Sequence, residues 1–241
     1  MLGVTAIAWL YLLTIGQGMS DMATDRMVDM VMPMTAPWTP TALALTFAMW
    51  WVMMVGMMTP SAAPMVLVFA TLNRNKRARD QNFVPTSIFL LGYLAAWGAF
   101  SLAATLAQWA LDGVALLSSE VAAINPLVGG TLAILAGLYQ FTPLKQACLR
   151  NCRSPFAFVL NHWREGRSGA LRMGLEHGGY CLGCCWMLMA LLFVVGVMNL
   201  IWVAALALFV FVEKLLPGGP QVGKVGGGIM LVLGMFLLVR G

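Results

Sequence analysis

Uninterrupted apolar stretches separated by short polar or basic connections recur along the chain. Their lengths approach the roughly 20 residues that cross a bilayer as one α-helix. Seven spans are predicted: Leu2–Met19, Pro40–Leu72, Phe83–Trp109, Asn125–Thr142, Gly178–Met198, Leu200–Leu216 and Val225–Val239. The pattern predicts an all-α fold, a polytopic transmembrane helix bundle forming one integral membrane domain over residues 1–241. The first stretch lacks a basic leader and a clear small-x-small cleavage site, so it reads as a retained span. Pro60 and Pro64 fall inside the second, where each removes a backbone donor and crowds the preceding turn, predicting a kink or break. Between spans four and five, Lys145 to Arg153 and Phe156 to Trp163 mix apolar and basic residues at helical spacing, the pattern of a helix lying on an anionic leaflet. Gly223 and Gly227 have a small-xxx-small spacing that permits close packing of the last helix.

Composition strengthens this reading. Of the 241 residues 61% are hydrophobic and 10% charged, with a mean hydropathy of +0.85. A soluble domain carries about 25% charged residues. The charges are also placed unevenly: four cations in 73–80, six between Lys145 and Arg172, and Lys214 and Lys224 make twelve of the 14 Lys and Arg. Basic loops mark the cytoplasmic side, which predicts a bacterial inner (plasma) membrane protein with its N-terminus cytoplasmic and its C-terminus external. The net charge of +5 is thereby explained by orientation, with no nucleic-acid partner; the expected partner is the lipid bilayer. Glu213 beside Lys214 reads as an ion pair at a span boundary.

Sulfur is the candidate chemistry. Met30, Met32 and Met34, with Met19, Met22 and Met27, crowd the first external loop among Asp21, Asp25 and Asp29. Soft thioethers select Cu(I), whereas carboxylates accept harder ions, so this loop suits copper capture; burial of the Met as adaptable filler is the alternative. Met49, Met53 and Met57 recur every four residues and form a stripe about 12 Å long on one helix face, either packing or a conduit. Cys148 and Cys152 are also four apart. Cys181, Cys184 and Cys185 form a C-x-x-C-C at the cytoplasmic mouth of span five, with His177 one turn earlier. On the reducing side clustered Cys is a metal or redox signature, and the pair and triplet are expected to converge. Three or more thiolates accept zinc as readily as copper, and the Met clusters tip the expectation to Cu(I).

No phosphate-binding loop, dinucleotide fingerprint or Ser-His-Asp set is present, and two His cannot build a His-rich oxygenase centre. An enzyme acting alone is therefore not expected. Three stretches carry a resemblance: WWVMMVGMMTP from Trp50, YQFTPLK from Tyr139 with CLRNCRSP from Cys148, and GLEHGGYCLGCCWMLM from Gly174. With Glu213-Lys214 they resemble a bacterial family of predicted metal-binding integral membrane proteins. The resemblance implies metal binding and names no substrate. Three functions stay open: copper binding, transport or delivery; an accessory subunit of a larger membrane complex, such as a copper-dependent membrane monooxygenase; and thiol–disulfide or quinone-linked redox chemistry.

Overall fold

The computed structural model describes residues 3, 5–14, 38–80, 83–113, 126–195 and 199–240, and among these all regular structure is helical. The helices are α1 (Thr5–Thr14), α2 (Pro40–Ala78), α3 (Thr86–Gly113), α4 (Pro126–Tyr139), α5 (Pro143–Arg153), α6 (Pro155–His162), α7 (Gly166–Ala190), α8 (Leu192–Val195), α9 (Leu200–Leu215) and α10 (Gly219–Arg240).

Among the described residues four helices are long and apolar enough to cross a membrane, and a fifth crossing results if the bent pair α4–α5 counts as one. The expected seven are thus four to five by this measure. α4 has 14 residues and α9 has 16, so at 1.5 Å per residue each falls short of a core of about 30 Å. Of the first expected span, the described helix covers only Thr5–Thr14.

α2 starts sharply, with the Thr39 hydroxyl accepting from the Ala42 N–H at 3.2 Å and Pro40 in the first turn, where a missing N–H costs nothing. It then runs for 39 residues through Pro60 and Pro64 without a break. The Met58 carbonyl, in the turn before Pro60, gains side-chain donors in Ser61 Oγ at 2.9 Å and Tyr93 OH at 3.1 Å. Backbone groups near a helix proline are commonly satisfied this way in apolar surroundings.

The sharpest departure from straight spans is at Phe141–Thr142. α5 leaves α4 at 65°, because Thr142 caps a new helix that Pro143 opens. α5 does not lie with its whole surface on a leaflet, since Lys145 and Leu149 are buried. The fifth expected span begins twelve residues early, at Gly166. Gly174 and Gly178 do not end it because they are packing surfaces: a Cβ on Gly174 would strike the Phe89 carbonyl, and one on Gly178 the Ala96 side chain. α3 and α7 thus meet backbone to backbone. α10 packs on α4 in the same manner through Gly130, Gly137, Gly227 and Gly234, close approaches that need small residues. Its other face exposes Val225, Ile229, Val232, Phe236 and Val239.

Candidate metal centre

The largest buried cluster gathers Met53, Met54, Met57 and Met58 of α2, Tyr93 of α3 and all three cysteines of α7. In α7 the triplet lies at spacings of three and four, which puts its side chains on one face. That face is not at a helix mouth: Cys181 is fifteen residues after Gly166, about 22 Å along the axis. Each of the three is 1% exposed. Cys184 and Cys185 turn their thiols back to the Cys181 carbonyl, at 3.0 and 2.9 Å.

α5 supplies the second group. Its Lys145 is wholly buried and pairs with Glu213 of α9, while also donating to Gln140. This anchor, with the Arg153 guanidinium donating to the Leu216 carbonyl at 2.6 Å, lays α5 between α7 and α9. Cys152 then stands 4.0 Å from Cys184, sulfur to sulfur. Cys148 rests against Gly183, where a Cβ would come within 2.8 Å of its sulfur. The cysteine pair and triplet, 32 residues apart at the Cys152–Cys184 contact, therefore share one place.

The remaining neighbours come from other helices. Cys185 Sγ lies 4.0 Å from Met58 Sδ. Lys214 Nζ donates to Cys181 Sγ at 2.9 Å and reaches Ser61 Oγ at 3.4 Å. Tyr93 OH is 3.2 Å from the same sulfur. Lys214 does not pair with Glu213 as adjacency suggested; the two side chains leave α9 in different directions, one to the thiol and one to Lys145. Met58, Tyr93, Ser61 and Lys214 are the members that sequence reasoning missed. The available signal was Lys214 itself, a cation inside an apolar segment, which is a functional candidate by position.

The other candidates are placed as follows. His177 is buried among the rings of Phe89, Tyr93 and Phe158, with centroids 6.1, 5.9 and 5.2 Å away, and its Nδ1 has no hydrogen-bond partner among the described residues. Met53 and Met57 are in the same core without a close sulfur contact to the cysteines. Met30, Met32 and Met34 lie outside the described residues.

Among the described residues, no group of three or more His, Cys, Asp or Glu side chains is arranged to hold a metal ion. The close sulfur contacts are pairwise. Two sulfurs 4.0 Å apart can each lie about 2.3 Å from one ion, with an angle near 120° at it, taking the usual metal–thiolate length. The donor set thus fits a soft ion of low coordination number and lacks a closed tetrahedron.

No curated protein matches the chain, and no solved structure does. Residues 47–237, which contain every cysteine, match the model of the PpoB2 family, described as a copper chaperone, and the chain belongs to that family.

Proposed function

We propose that this protein is an integral membrane copper chaperone whose cargo, Cu(I), is held where α5 meets α7. Cys152 and Cys184 are the primary pair. Cys181, Cys185 and Met58 are the adjacent donors, and Cys148 and His177 stand at the margin. The observation that carries this reading is the 4.0 Å approach of Cys152 and Cys184 from separate helices with a thioether next to the triplet. Zinc prefers four ligands in a closed tetrahedron, which pairwise contacts do not offer, while thiolate and thioether donors favour Cu(I). The Met and Asp residues around Met30, Met32 and Met34 collect copper on the external side, and Met53 and Met57 line its way inward. The basic connections face the cytoplasm, and the recipient is a copper-dependent membrane enzyme.

The test is metal analysis and Cu(I) titration of the purified full chain in detergent against a competing chelator. Cu(I) is retained in preference to Zn(II), and Cys152→Ser with Cys184→Ser abolishes most of the binding. Substituting Met30, Met32 and Met34 slows uptake from outside and leaves the cysteine site able to load. Stoichiometric zinc without copper, or copper binding indifferent to the Cys substitutions, sinks the reading. A reducible Cys152–Cys184 disulfide with no bound metal favours thiol redox chemistry instead.

A further inference from the structure

A cavity of about 210 Å³ lies apart from the sulfur cluster. The end of α2, the residues leading into α3 and the turn that opens α7 form its walls. Its cations are Lys76, Arg164 and Arg167, and its aromatic walls include Phe83 and Trp163. Lys76 Nζ sits over the Trp163 ring, 4.3 Å from the centroid. One carboxylate, Glu165, belongs to the lining; it is 3.7 Å from Lys76 and 78% exposed. Arg164 is engaged by Glu176 at 3.2 Å. Arg167 makes no ion pair among the described residues, and Arg74, Arg77 and Arg79 flank the same end of α2. The field at this cavity is therefore positive.

Two local features keep it open to an anion. Gly166 has φ +79°, a left-handed conformation that favours glycine, and nothing lies within 4 Å of where a Cβ would stand. Glu165 occupies the N-cap position of α7 without a side-chain capping bond, which leaves the amides of the first turn free beside the cations. The volume is below the about 300–1,000 Å³ of pockets that enclose a whole small ligand, so it suits a headgroup fragment whose remainder stays outside. Phe83 is 47% exposed and borders the cavity. Phe156 and Leu160 of α6, just before Trp163, are among the most exposed apolar residues of the chain. Aromatic residues beside cations at a membrane boundary mark the headgroup level, and basic pockets between membrane helices hold anionic headgroups.

We infer that this cavity is a binding site for the phosphate of an anionic phospholipid, with Arg167 and Lys76 as the principal contacts. The site rests on the membrane-embedded reading above and on no property of the copper site.

Native mass spectrometry of the purified full chain, supplied with mixed micelles of phosphatidylglycerol or phosphatidylcholine, tests it. Phosphatidylglycerol is retained in preference to phosphatidylcholine. Lys76→Gln and Arg167→Gln each weaken that retention about fivefold, since one interfacial cation contributes about 1 kcal/mol. A control with Arg150→Gln and Lys224→Gln, equal in charge and remote from the cavity lining, retains the lipid. Inorganic phosphate added in excess leaves phosphatidylglycerol bound. Equal retention of both lipids, or a double variant at Lys76 and Arg167 that binds like the parent, overturns the assignment. Displacement by inorganic phosphate also overturns it, in favour of a soluble anion. Unchanged Cu(I) titration and thermal stability of the variants show that the fold is intact. The outcome is read on lipid alone, so it stands or falls separately from the copper reading.

Discussion

Removing the carboxylate of Glu213 is the most informative perturbation of the scaffold. Lys145 is 0% and Glu213 1% exposed, and their charged atoms are 2.5 Å apart. At an effective dielectric constant of about 20 the gross attraction is about 7 kcal/mol, most of it offset by the cost of drying both ions. Breaking such a pair by deleting one partner costs about 3–5 kcal/mol, whereas replacing both by apolar residues is near neutral. Glu213→Gln keeps an amide oxygen for Lys145, and Gln140 still accepts from it, so the expected cost is at the low end, about 3 kcal/mol. Lys145→Met is expected to cost more, because the carboxylate has no hydrogen-bond partner of its own among the described residues. The double variant Lys145→Met with Glu213→Leu is then more stable than Lys145→Met or Glu213→Leu alone, and these three with the parent form the cycle. The assay is denaturant unfolding in detergent followed by helical circular dichroism, read as a double-mutant cycle. Single substitutions that each cost less than about 1 kcal/mol, or a double variant as unstable as their sum, refute the reasoning. Cu(I) affinity falls with the singles, because the pair pins the helix that carries Cys148 and Cys152.

Two glycine substitutions follow from contact geometry. Gly183→Ala places a methyl 2.8 Å from Cys148 Sγ; the thiol must swing away, at a cost of about 1–3 kcal/mol, and alkylation of Cys148 accelerates, so an unchanged rate contradicts the placement. Gly92→Ala drives a methyl into the Leu171 carbonyl and the Leu175 amide, backbone atoms that cannot rotate aside, so α3 and α7 separate and the melting temperature drops sharply. Gly179→Ala is its control: nothing lies within 4 Å, and alanine gains about 1 kcal/mol in a helix interior, so this variant melts no lower than the parent.

Helical content and the close packing of Gly227 were legible because each depends on residues near in sequence. The approach of Cys152 to Cys184 was anticipated from two spacings and a foldable connection. The buried charges were not. Adjacent residues on a helix do not face each other, so Glu213 and Lys214 point apart, and their partners Lys145 and Cys181 come from helices that only tertiary packing brings near. The span count is coarser in the structure, with four to five helices meeting the length and apolarity needed among the described residues. Hydropathy sees an apolar run over Asn125–Thr142, but Thr142 and Pro143 end one helix and start another, and no average over a window registers that corner. The C-x-x-C-C, expected at the cytoplasmic mouth of span five, lies fifteen residues into α7, because that helix begins at Gly166 and carries Gly174 and Gly178 against α3.

The depth of the cysteines sets how cargo can leave. Thiol ligands pass copper between proteins by direct exchange, in which donor and acceptor sulfurs touch the ion together. Cys181, Cys184 and Cys185 are each 1% exposed, whereas Cys148 and Cys152 of α5 are half-buried, so an acceptor sulfur approaching the proposed site meets α5 first. Under the proposed function, Cys152 is therefore the ligand that hands the ion on, and the buried triplet is the set that lets go first.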